Sequence, residues 1–371
     1  MLPRYARLEI DLGAVAHNVR TLKALTPSET LFMAVVKANG YGHGAVRVAE
    51  AALDAGADRL AVATIAEAIE LREAGFSCPV HLLQEPPVSS AGLVIDHDII
   101  PMVVTREFGV ALSREAVAEG TRAPYHLKID TGMNRIGVRA EDAAEFASRL
   151  HDLDGIELEG TCTHFATAEV RGDWDFERQL ERFEAALQAM KTEGVQPGIV
   201  HAANSAATIL HPEAHFDMVR CGIAIYGLHP GSSTYDRIDL RPAMAVKAQV
   251  SFVKRIQMGD GVSYGLTWRA AAPTEIATLP LGYADGVHRV LSNKMRVLVD
   301  GQACEQVGTV TMDQIMIQIP RGASVAPGDE AVLVGSQGAE SISMDELADA
   351  AGTINYELAC SFGMRLDHVF I

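Results

Sequence analysis

The sequence predicts an α/β protein: an N-terminal parallel (β/α)8 barrel at residues 1–240, followed by a mainly β domain at residues 241–371. Up to about Leu240, short apolar runs alternate with helical patterns at intervals of roughly thirty residues, as a parallel barrel requires. From Arg241 onward, the apolar runs are separated by turns, which is typical of antiparallel sheets. A chain of 371 residues is long enough for one barrel and one smaller domain.

Eight apolar runs are expected to form the barrel strands, and an additional first strand, 8–12, is a candidate to pack on the C-terminal domain. The predicted barrel strands are 31–36, 59–63, 80–83, 99–104, 125–129, 156–163, 199–203 and 218–221. The clearest barrel helix carries its apolar face on Phe176, Leu180, Phe183 and Leu187.

The C-terminal domain is expected to consist of strands with one helix, 343–351. Asp300-Gly301 lies between two apolar runs and predicts a hairpin turn. The predicted strands are 243–256, 274–281, 294–299, 305–311, 315–319, 331–334 and 365–371.

Charge and cysteine usage narrow the class of protein. The net charge is −17 and no Lys/Arg-rich run is present, which argues against nucleic acid or an anionic membrane as partner. The five cysteines are scattered and form no Cys-x-x-Cys, which is typical of reduced thiols in a cytoplasmic protein. No signal peptide or membrane-spanning run is recognised, so a cytoplasmic protein is expected.

Lys37 is the first candidate functional residue. It ends the first predicted barrel strand and is followed by glycines at positions 40, 42 and 44. A buried strand end is unfavourable for an unpaired ammonium group, but it suits a lysine that forms a Schiff base or moves protons. The alternative is a lysine that only extends from the strand end to solvent.

Other polar residues follow the later barrel strands, where the active sites of such barrels lie. These residues are Asp130, Thr131 and Arg135 after strand five, His164 after strand six, Asn204 and Ser205 after strand seven, and Arg220, Gly222 and Ile223 at strand eight. Each has a structural alternative: Asp130, Thr131 and Ser205 could cap turns or helices, His164 could be a core histidine, and Arg220 could form an ion pair at the rim. Their shared position at one rim favours a site.

The loops after the last two strands occupy the usual phosphate position of these barrels. With a lysine on the first strand and no Walker-type loop, they predict pyridoxal phosphate as cofactor, held by Lys37 as a Schiff base. Two other patterns are set aside: His211 to His215 lacks the His-Glu-x-x-His zinc motif, and the glycines after Lys37 lack dinucleotide-loop spacing.

Several motifs resemble those of alanine racemases, in order and across both predicted domains. They are Ala-Val-Val-Lys-Ala-Asn-Gly-Tyr-Gly-His-Gly (34–44), Lys-Ile-Asp-Thr-Gly-Met-Asn-Arg-Ile-Gly (128–137), Thr-His-Phe-Ala (163–166), Asn-Ser-Ala (204–206), Val-Arg-Cys-Gly-Ile-Ala-Ile-Tyr-Gly (219–227), Val-Ser-Tyr-Gly (262–265), Leu-Gly-Tyr-Ala-Asp-Gly (281–286), Met-Asp-Gln (312–314) and Ile-Asn-Tyr-Glu (354–357).

The resemblance implies a head-to-tail homodimer that interconverts L-alanine and D-alanine and supplies D-alanine for peptidoglycan. Lys37 and Tyr264 of the partner subunit would be the two bases, on opposite faces of the cofactor. Racemisation needs such a pair, because a single base tends to return the proton to the face it left. By resemblance, His164 and Arg220 form a hydrogen-bonded chain behind Tyr264.

The resemblance also implies binding roles. Arg220 would face the pyridine nitrogen and keep it unprotonated, Arg135 would hold the substrate carboxylate or the ring oxygen, and Lys128 would be a carbamylated lysine. Met312 of the partner subunit would line the substrate pocket. The implied cofactor-binding residues are Lys37, Tyr41, Asn204, Ser205, Arg220, Gly222, Ile223 and Tyr356, and no metal is expected.

Two positions depart from the family pattern: Glu169 where aspartate is frequent, and Thr309 where arginine is usual. Thr309 puts the usual electrostatics of the entrance corridor in question. Two alternatives stay open on the same barrel: another pyridoxal enzyme, such as a basic amino-acid decarboxylase or a broad-specificity racemase, and a non-catalytic pyridoxal-phosphate carrier. Arg220 argues against a decarboxylase, and Tyr264 and Met312 argue against a carrier.

Overall fold

A computed structural model describes residues 5–170, 172–363 and 365–371. The chain divides into two compact units. Of the described residues, the barrel unit comprises Val15–Gly40 and Ala45–Arg241, and the β unit comprises residues 5–14, Tyr41–Gly44 and residues from Pro242 onward.

The described strands are β1 (Ala6–Ile10), β2 (Leu31–Val35), β3 (Arg59–Val62), β4 (Val80–Leu82), β5 (Ile99–Ile100), β6 (Met102–Val103), β7 (Ala123–Asp130), β8 (Val138–Arg139), β9 (Ile156–Cys162), β10 (Ile199–His201), β11 (Met218–Cys221), β12 (Met244–Gln249), β13 (Phe252–Ile256), β14 (Gly261–Val262), β15 (Trp268–Arg269), β16 (Thr274–Leu279), β17 (Arg296–Val299), β18 (Gln302–Glu305), β19 (Ile315–Ile319), β20 (Glu330–Gln337), β21 (Glu340–Ile342) and β22 (Asp367–Phe370). The helical segments are α1 (Leu12–Lys23), α2 (Lys37–Tyr41), α3 (Ala45–Asp54), α4 (Ile65–Glu73), α5 (Ala91–Asp96), α6 (Arg106–Ala118), α7 (Ala143–His151), α8 (Trp174–Thr192), α9 (Ser205–Leu210), α10 (Met344–Ala351) and α11 (Asn355–Ser361).

Parallel strands form the barrel, as predicted. One ladder runs β11-β2-β3-β4-β5 and the other β6-β7-β9-β10. Pro101 separates β5 from β6 because it has no backbone N–H to donate. Between β10 and β11, the Arg220 N–H donates to the Ala203 carbonyl at 2.9 Å. The carboxyl ends of these strands therefore lie at one rim.

Apolar faces of the helices cover the barrel strands. In α8, Phe176 and Phe183 are buried, and Asp173 caps the helix by accepting from the Asp175 N–H. Leu180, predicted on the same face, is only partly buried, and Gln179 is buried beside it because its amide donates to the His164 carbonyl. A polar contact thus replaces an apolar one next to the rim.

The β unit is built around the sheet β18-β17-β20-β12-β1-β22. Strand β1 pairs antiparallel with β12 and parallel with β22. A second sheet runs β13-β16-β19, and β14 pairs with β15. Among the described residues, no helix combines the length and apolar character needed to cross a membrane.

Two strand predictions in this unit are corrected, and one helix was missed. The single strand 243–256 is two strands, β12 and β13, which belong to different sheets. The strand 305–311 is wrong: β18 ends at Glu305, after a hairpin turn at Asp300 and Gly301, which both have positive φ. Helix α11 was not predicted, because its seven residues show too little apolar periodicity.

Candidate active site

Lys37 begins a left-handed turn directly after the first barrel strand. Ala38, Asn39 and Gly40 have φ of 53°, 51° and 61°. L-residues other than glycine adopt this region at a cost of roughly 1–2 kcal/mol each. The Gly40 N–H donates to the Val36 carbonyl at 2.8 Å, and the Asn39 side chain accepts from the Ala45 N–H at 3.0 Å. The surrounding contacts therefore hold a strained backbone at the candidate site.

Glu67 is a functional candidate that the sequence reasoning missed. Its carboxylate accepts from the Ala38 N–H at 2.7 Å, from the Ala63 N–H at 2.8 Å and from the Thr64 N–H at 3.0 Å. One carboxylate thus ties the turn after Lys37 to the end of β3 and the start of α4. The available signal was Thr64-x-x-Glu67, a capping-box pattern.

Lys128 lies on β7 and its side chain faces a cationic environment. It is 7% exposed, and its Nζ donates to the Leu83 carbonyl at 3.3 Å. Burial, with the positive charges of Arg220, Arg135 and Lys37, lowers the pKa of Lys128 to about 8. A substantial neutral fraction at physiological pH gives this amine the nucleophilic form that carbamylation requires.

Arg220 and His164 are joined by a hydrogen bond. Arg220 Nη2 lies 3.1 Å from His164 Nδ1, and it also donates to the Thr163 carbonyl at 2.8 Å and the Ala202 carbonyl at 3.0 Å. A guanidinium only donates, so His164 Nδ1 is an acceptor. Burial, then the neighbouring positive charges, lower the pKa of His164 well below its ordinary value, so this imidazole is neutral.

A chain of hydrogen bonds continues from Arg220 through the barrel interior. Arg220 Nη1 lies 2.9 Å from His201 Nδ1, His201 Nε2 lies 2.7 Å from His126 Nδ1, and His126 Nε2 lies 2.9 Å from a Glu159 oxygen. Because Arg220 can only donate, each histidine accepts at Nδ1 and donates from Nε2. The proton positions are thereby set from the arginine to the carboxylate.

This histidine relay (Arg220, His201, His126 and Glu159) was not predicted. His126 and His201 lie singly on separate strands, so nothing in the sequence shows that they meet. Burial lowers the pKa of both imidazoles, which keeps them neutral. The relay holds the Arg220 guanidinium in one orientation while leaving its charge uncancelled nearby.

Arg59 closes the far end of the relay. Its Nη1 donates to Glu159 at 2.9 Å and lies 3.2 Å from His81 Nε2. His81, His126 and Glu159 are close enough to offer ligand atoms to a cation. The Arg59 guanidinium already contacts two of these three residues, His81 and Glu159. The cluster therefore fits an internal ion pair rather than a metal.

The structure distinguishes between the functional and the structural alternatives for three of the rim residues. Asp130 does cap a turn, since its Oδ1 accepts from the Gly132 and Asn134 N–H groups, both at 3.0 Å. Asn204, not Ser205, caps α9. Among the described residues, Arg220 forms no ion pair with a carboxylate, so the rim ion-pair alternative is wrong.

Ser205, at the start of α9, and Gly222 and Ile223, directly after β11, form the candidate phosphate-binding site. The Ser205 hydroxyl accepts from the Gly222 N–H at 3.0 Å and from the Ala224 N–H at 3.5 Å. All three residues are buried, and Ile223 begins a 3-10 turn. A hydroxyl with backbone N–H groups, together with the Lys37 amine and the Arg220 guanidinium, is a donor set that fits a phosphorylated pyridine aldehyde.

Arg135 is exposed and lies in the loop after β7.

Four of the predicted site residues belong to the β unit: Tyr41, Tyr264, Met312 and Tyr356. Tyr41 is buried and its ring lies 6.4 Å from that of Tyr356. Burial raises the pKa of Tyr41, so its phenol stays protonated. Tyr264 and Met312 are 75% and 52% exposed.

Both parts of the chain match known families. The alanine racemase N-terminal domain family matches residues 10–230, and the alanine racemase C-terminal domain family matches residues 243–370. The chain is 46% identical over 370 residues to an alanine racemase of Symbiobacterium thermophilum, covering 100% of this chain and 97% of that protein.

Solved structures agree with the sequence relatives. A crystal structure of alanine racemase from Bacillus anthracis with bound L-Ala-P has a TM-score of 0.94 and 39% identity, covering 100% of this chain and 96% of that one. A histidine racemase from Leuconostoc mesenteroides has a TM-score of 0.91 and 31% identity, covering 100% and 99%. The fold is therefore shared by racemases with different named substrates.

Proposed function

The chain belongs to the alanine racemase family, and on that premise we propose that it interconverts L-alanine and D-alanine with pyridoxal phosphate, supplying D-alanine for peptidoglycan. The observation that carries the proposal is the position of Lys37 at the barrel rim, in one cationic environment with Lys128, Arg135 and Arg220. A two-base racemase needs an amine at this rim and a fixed cation near the ring.

When bound, pyridoxal phosphate supplies an electron sink conjugated to the α-carbon of the amino acid. The residues of this chain set how strong that sink is. Arg220 would face the ring nitrogen, and because a guanidinium does not release its proton near neutral pH, it would leave that nitrogen unprotonated. A weaker sink limits transamination and decarboxylation, and so favours return of the proton.

Two bases would move the α-proton. The Lys37 amine would take or return it on one face, and Tyr264 of the partner subunit would act on the other face. Tyr264 is largely exposed in a single chain, which is consistent with a phenol that serves another subunit. We therefore propose a head-to-tail homodimer with shared sites.

The remaining predicted residues would bind and orient the cofactor and the substrate. Ser205, Gly222 and Ile223 would hold the phosphate through a hydroxyl and N–H groups, with Asn204 positioning Ser205 as the cap of α9. Arg135 would hold the substrate carboxylate, supported by a carbamylated Lys128. Tyr41 and Tyr356 would bind the phosphate, and Met312 of the partner subunit would limit the substrate pocket.

Sequence identity favours alanine over other amino acids as the proposed substrate. The chain is 46% identical to the Symbiobacterium alanine racemase and 31% identical to the histidine racemase. A broad-specificity or histidine racemase remains the second candidate because the fold is common to both. A cytoplasmic location is proposed from the five free cysteines.

The test is the optical rotation of L-alanine over time with purified protein, with L-histidine and L-serine in parallel. We expect decay to zero with alanine and its loss in Lys37→Ala. Lys191→Ala, on the exposed end of α8, is the matched control and should keep full activity. A steady signal from a protein that carries the cofactor's visible absorption would contradict the racemase and favour a decarboxylase or a carrier.

A further inference from the structure

We propose that Thr309 is a positioning residue for Tyr264, an inference that rests on the proposed role of Tyr264 as a base. The Thr309 hydroxyl donates to the Tyr264 carbonyl at 2.7 Å, and the Ser263 hydroxyl donates to the Thr309 carbonyl at 2.6 Å. Thr309 is thus joined to Tyr264 through its own hydroxyl and to Ser263 through the Ser263 hydroxyl.

The backbone around Tyr264 needs such support. Ser263, Gly265 and Leu266 have φ of 63°, 73° and 44°. Ser263, with ψ of −174°, and Leu266 thus have positive φ without being glycine, which costs roughly 1–3 kcal/mol each. Tyr264 itself is 75% exposed, so packing of its ring within this chain contributes little to holding the segment.

Thr309, by contrast, lies in a rigid frame. It is 5% exposed, and the preceding Gly308 N–H donates to the Asn293 side chain at 2.6 Å. The Val307 N–H donates to the Met316 carbonyl of β19 at 2.8 Å. Gly308 has a positive φ and no room for a Cβ, which would lie 2.6 Å from the Val262 carbonyl oxygen. The Thr309 hydroxyl therefore connects the exposed segment around Tyr264 to this buried part of the unit.

The side chain at 309 is suited to this contact. A buried β-branched hydroxyl has few rotamers, and the Thr267 hydroxyl, 3.5 Å away, further restricts the direction of the Thr309 hydroxyl. We infer that this chain anchors the Tyr264 turn through Thr309 itself.

Thr309→Val removes the hydroxyl and keeps the shape, and Thr309→Ser keeps the hydroxyl. Tyr264→Phe identifies, by its loss of α-proton exchange with solvent, the enantiomer whose α-proton the phenol removes. In Thr309→Val we expect a loss of about tenfold in kcat with KM little changed, since small misplacements of a reacting group reduce the rate strongly. The isotope effect with α-deuterated alanine should rise for the enantiomer that Tyr264→Phe identifies, and Thr309→Ser should behave like the parent.

Amide hydrogen exchange of residues 263–267 provides a readout that needs neither cofactor nor activity. We expect faster exchange in Thr309→Val than in the parent or Thr309→Ser. Unchanged amide exchange together with unchanged kinetics in Thr309→Val would overturn the positioning role. If Tyr264→Phe keeps full activity, Tyr264 is not a base. If Tyr264→Phe is inactive while Thr309→Val is unaffected, Tyr264 keeps its proposed role and Thr309 does not position it.

Discussion

The turn that carries Lys37 and the turn that carries Tyr264 are both left-handed, but they are held in different ways. The Lys37 turn follows a buried parallel strand and is fixed from within the barrel unit by the carboxylate of Glu67. The Tyr264 turn lies in the β unit, presents an exposed phenol, and is held mainly through Thr309 and Ser263. One candidate base is therefore held by contacts within its own unit, while the ring of the other is exposed in this chain.

Tyr264→Phe should give the largest effect on this comparison. Loss of the phenol removes one of two bases, so we expect a fall of about 10²–10⁴-fold in proton transfer on one face. Cofactor absorption should be retained, because the phenol does not hold the cofactor in the proposed scheme. Solvent-deuterium incorporation into each enantiomer measures the two faces separately, and undiminished exchange on both would remove Tyr264 from the mechanism.

The histidine relay tests how firmly the barrel side is built. His201→Leu would leave the buried Arg220 Nη1 and His126 Nδ1 without their shared partner, at a cost of about 1–3 kcal/mol for each lost buried contact. Glu159→Gln keeps an acceptor for His126, so it should cost less. Urea unfolding measures both variants, and equal free energies of unfolding for parent and His201→Leu would argue against a structural relay.

Glu67→Gln should weaken the Lys37 turn by a smaller amount. The amide oxygen can accept on only one side, so either Ala38 or the Ala63 and Thr64 pair loses its acceptor, at about 1 kcal/mol. We expect a several-fold lower kcat and weaker cofactor retention during dialysis. Glu70→Gln, an exposed residue of the same helix, is the control and should match the parent in both measurements.

A pH dependence of stability is expected from Lys128. Burial lowers its pKa from 10.5 to about 8, so between these values the unfolded chain binds more protons than the native one. The burial penalty is present in full below pH 8 and disappears as pH rises toward 10.5. In buffer free of carbon dioxide and bicarbonate, where the Lys128 amine stays unmodified, Lys128→Met should thus gain stability over the parent at neutral pH, and this gain should shrink on the alkaline side. A gain that is constant across this range would contradict the assigned environment.

The sequence predicted the parts of the fold and site that depend on local pattern. The barrel strands are short apolar runs, and Lys37 follows one of them beside conspicuous glycines, so its position could be found from the residues alone. Tyr264 lies in an exposed segment without periodicity, and only the family resemblance pointed to it.

Contacts between distant strands could not be predicted. His81, His126 and His201 each look like an isolated core histidine, and their connection to Arg220 depends on strand order and on which side chains point inward. The strand boundary at Glu305 was missed for a related reason: residues 306–310 are buried and include Val307 and Val310, although they form no regular ladder.

The central claim is that the two bases come from different subunits, and mixing two inactive variants tests it most directly. In a mixed dimer of Lys37→Ala and Tyr264→Phe, one site would lack both bases and the other would have both intact. Random exchange of subunits should then restore about a quarter of the parent activity, since half of the dimers are mixed and each has one intact site. No recovery after demonstrated subunit exchange would contradict a shared site.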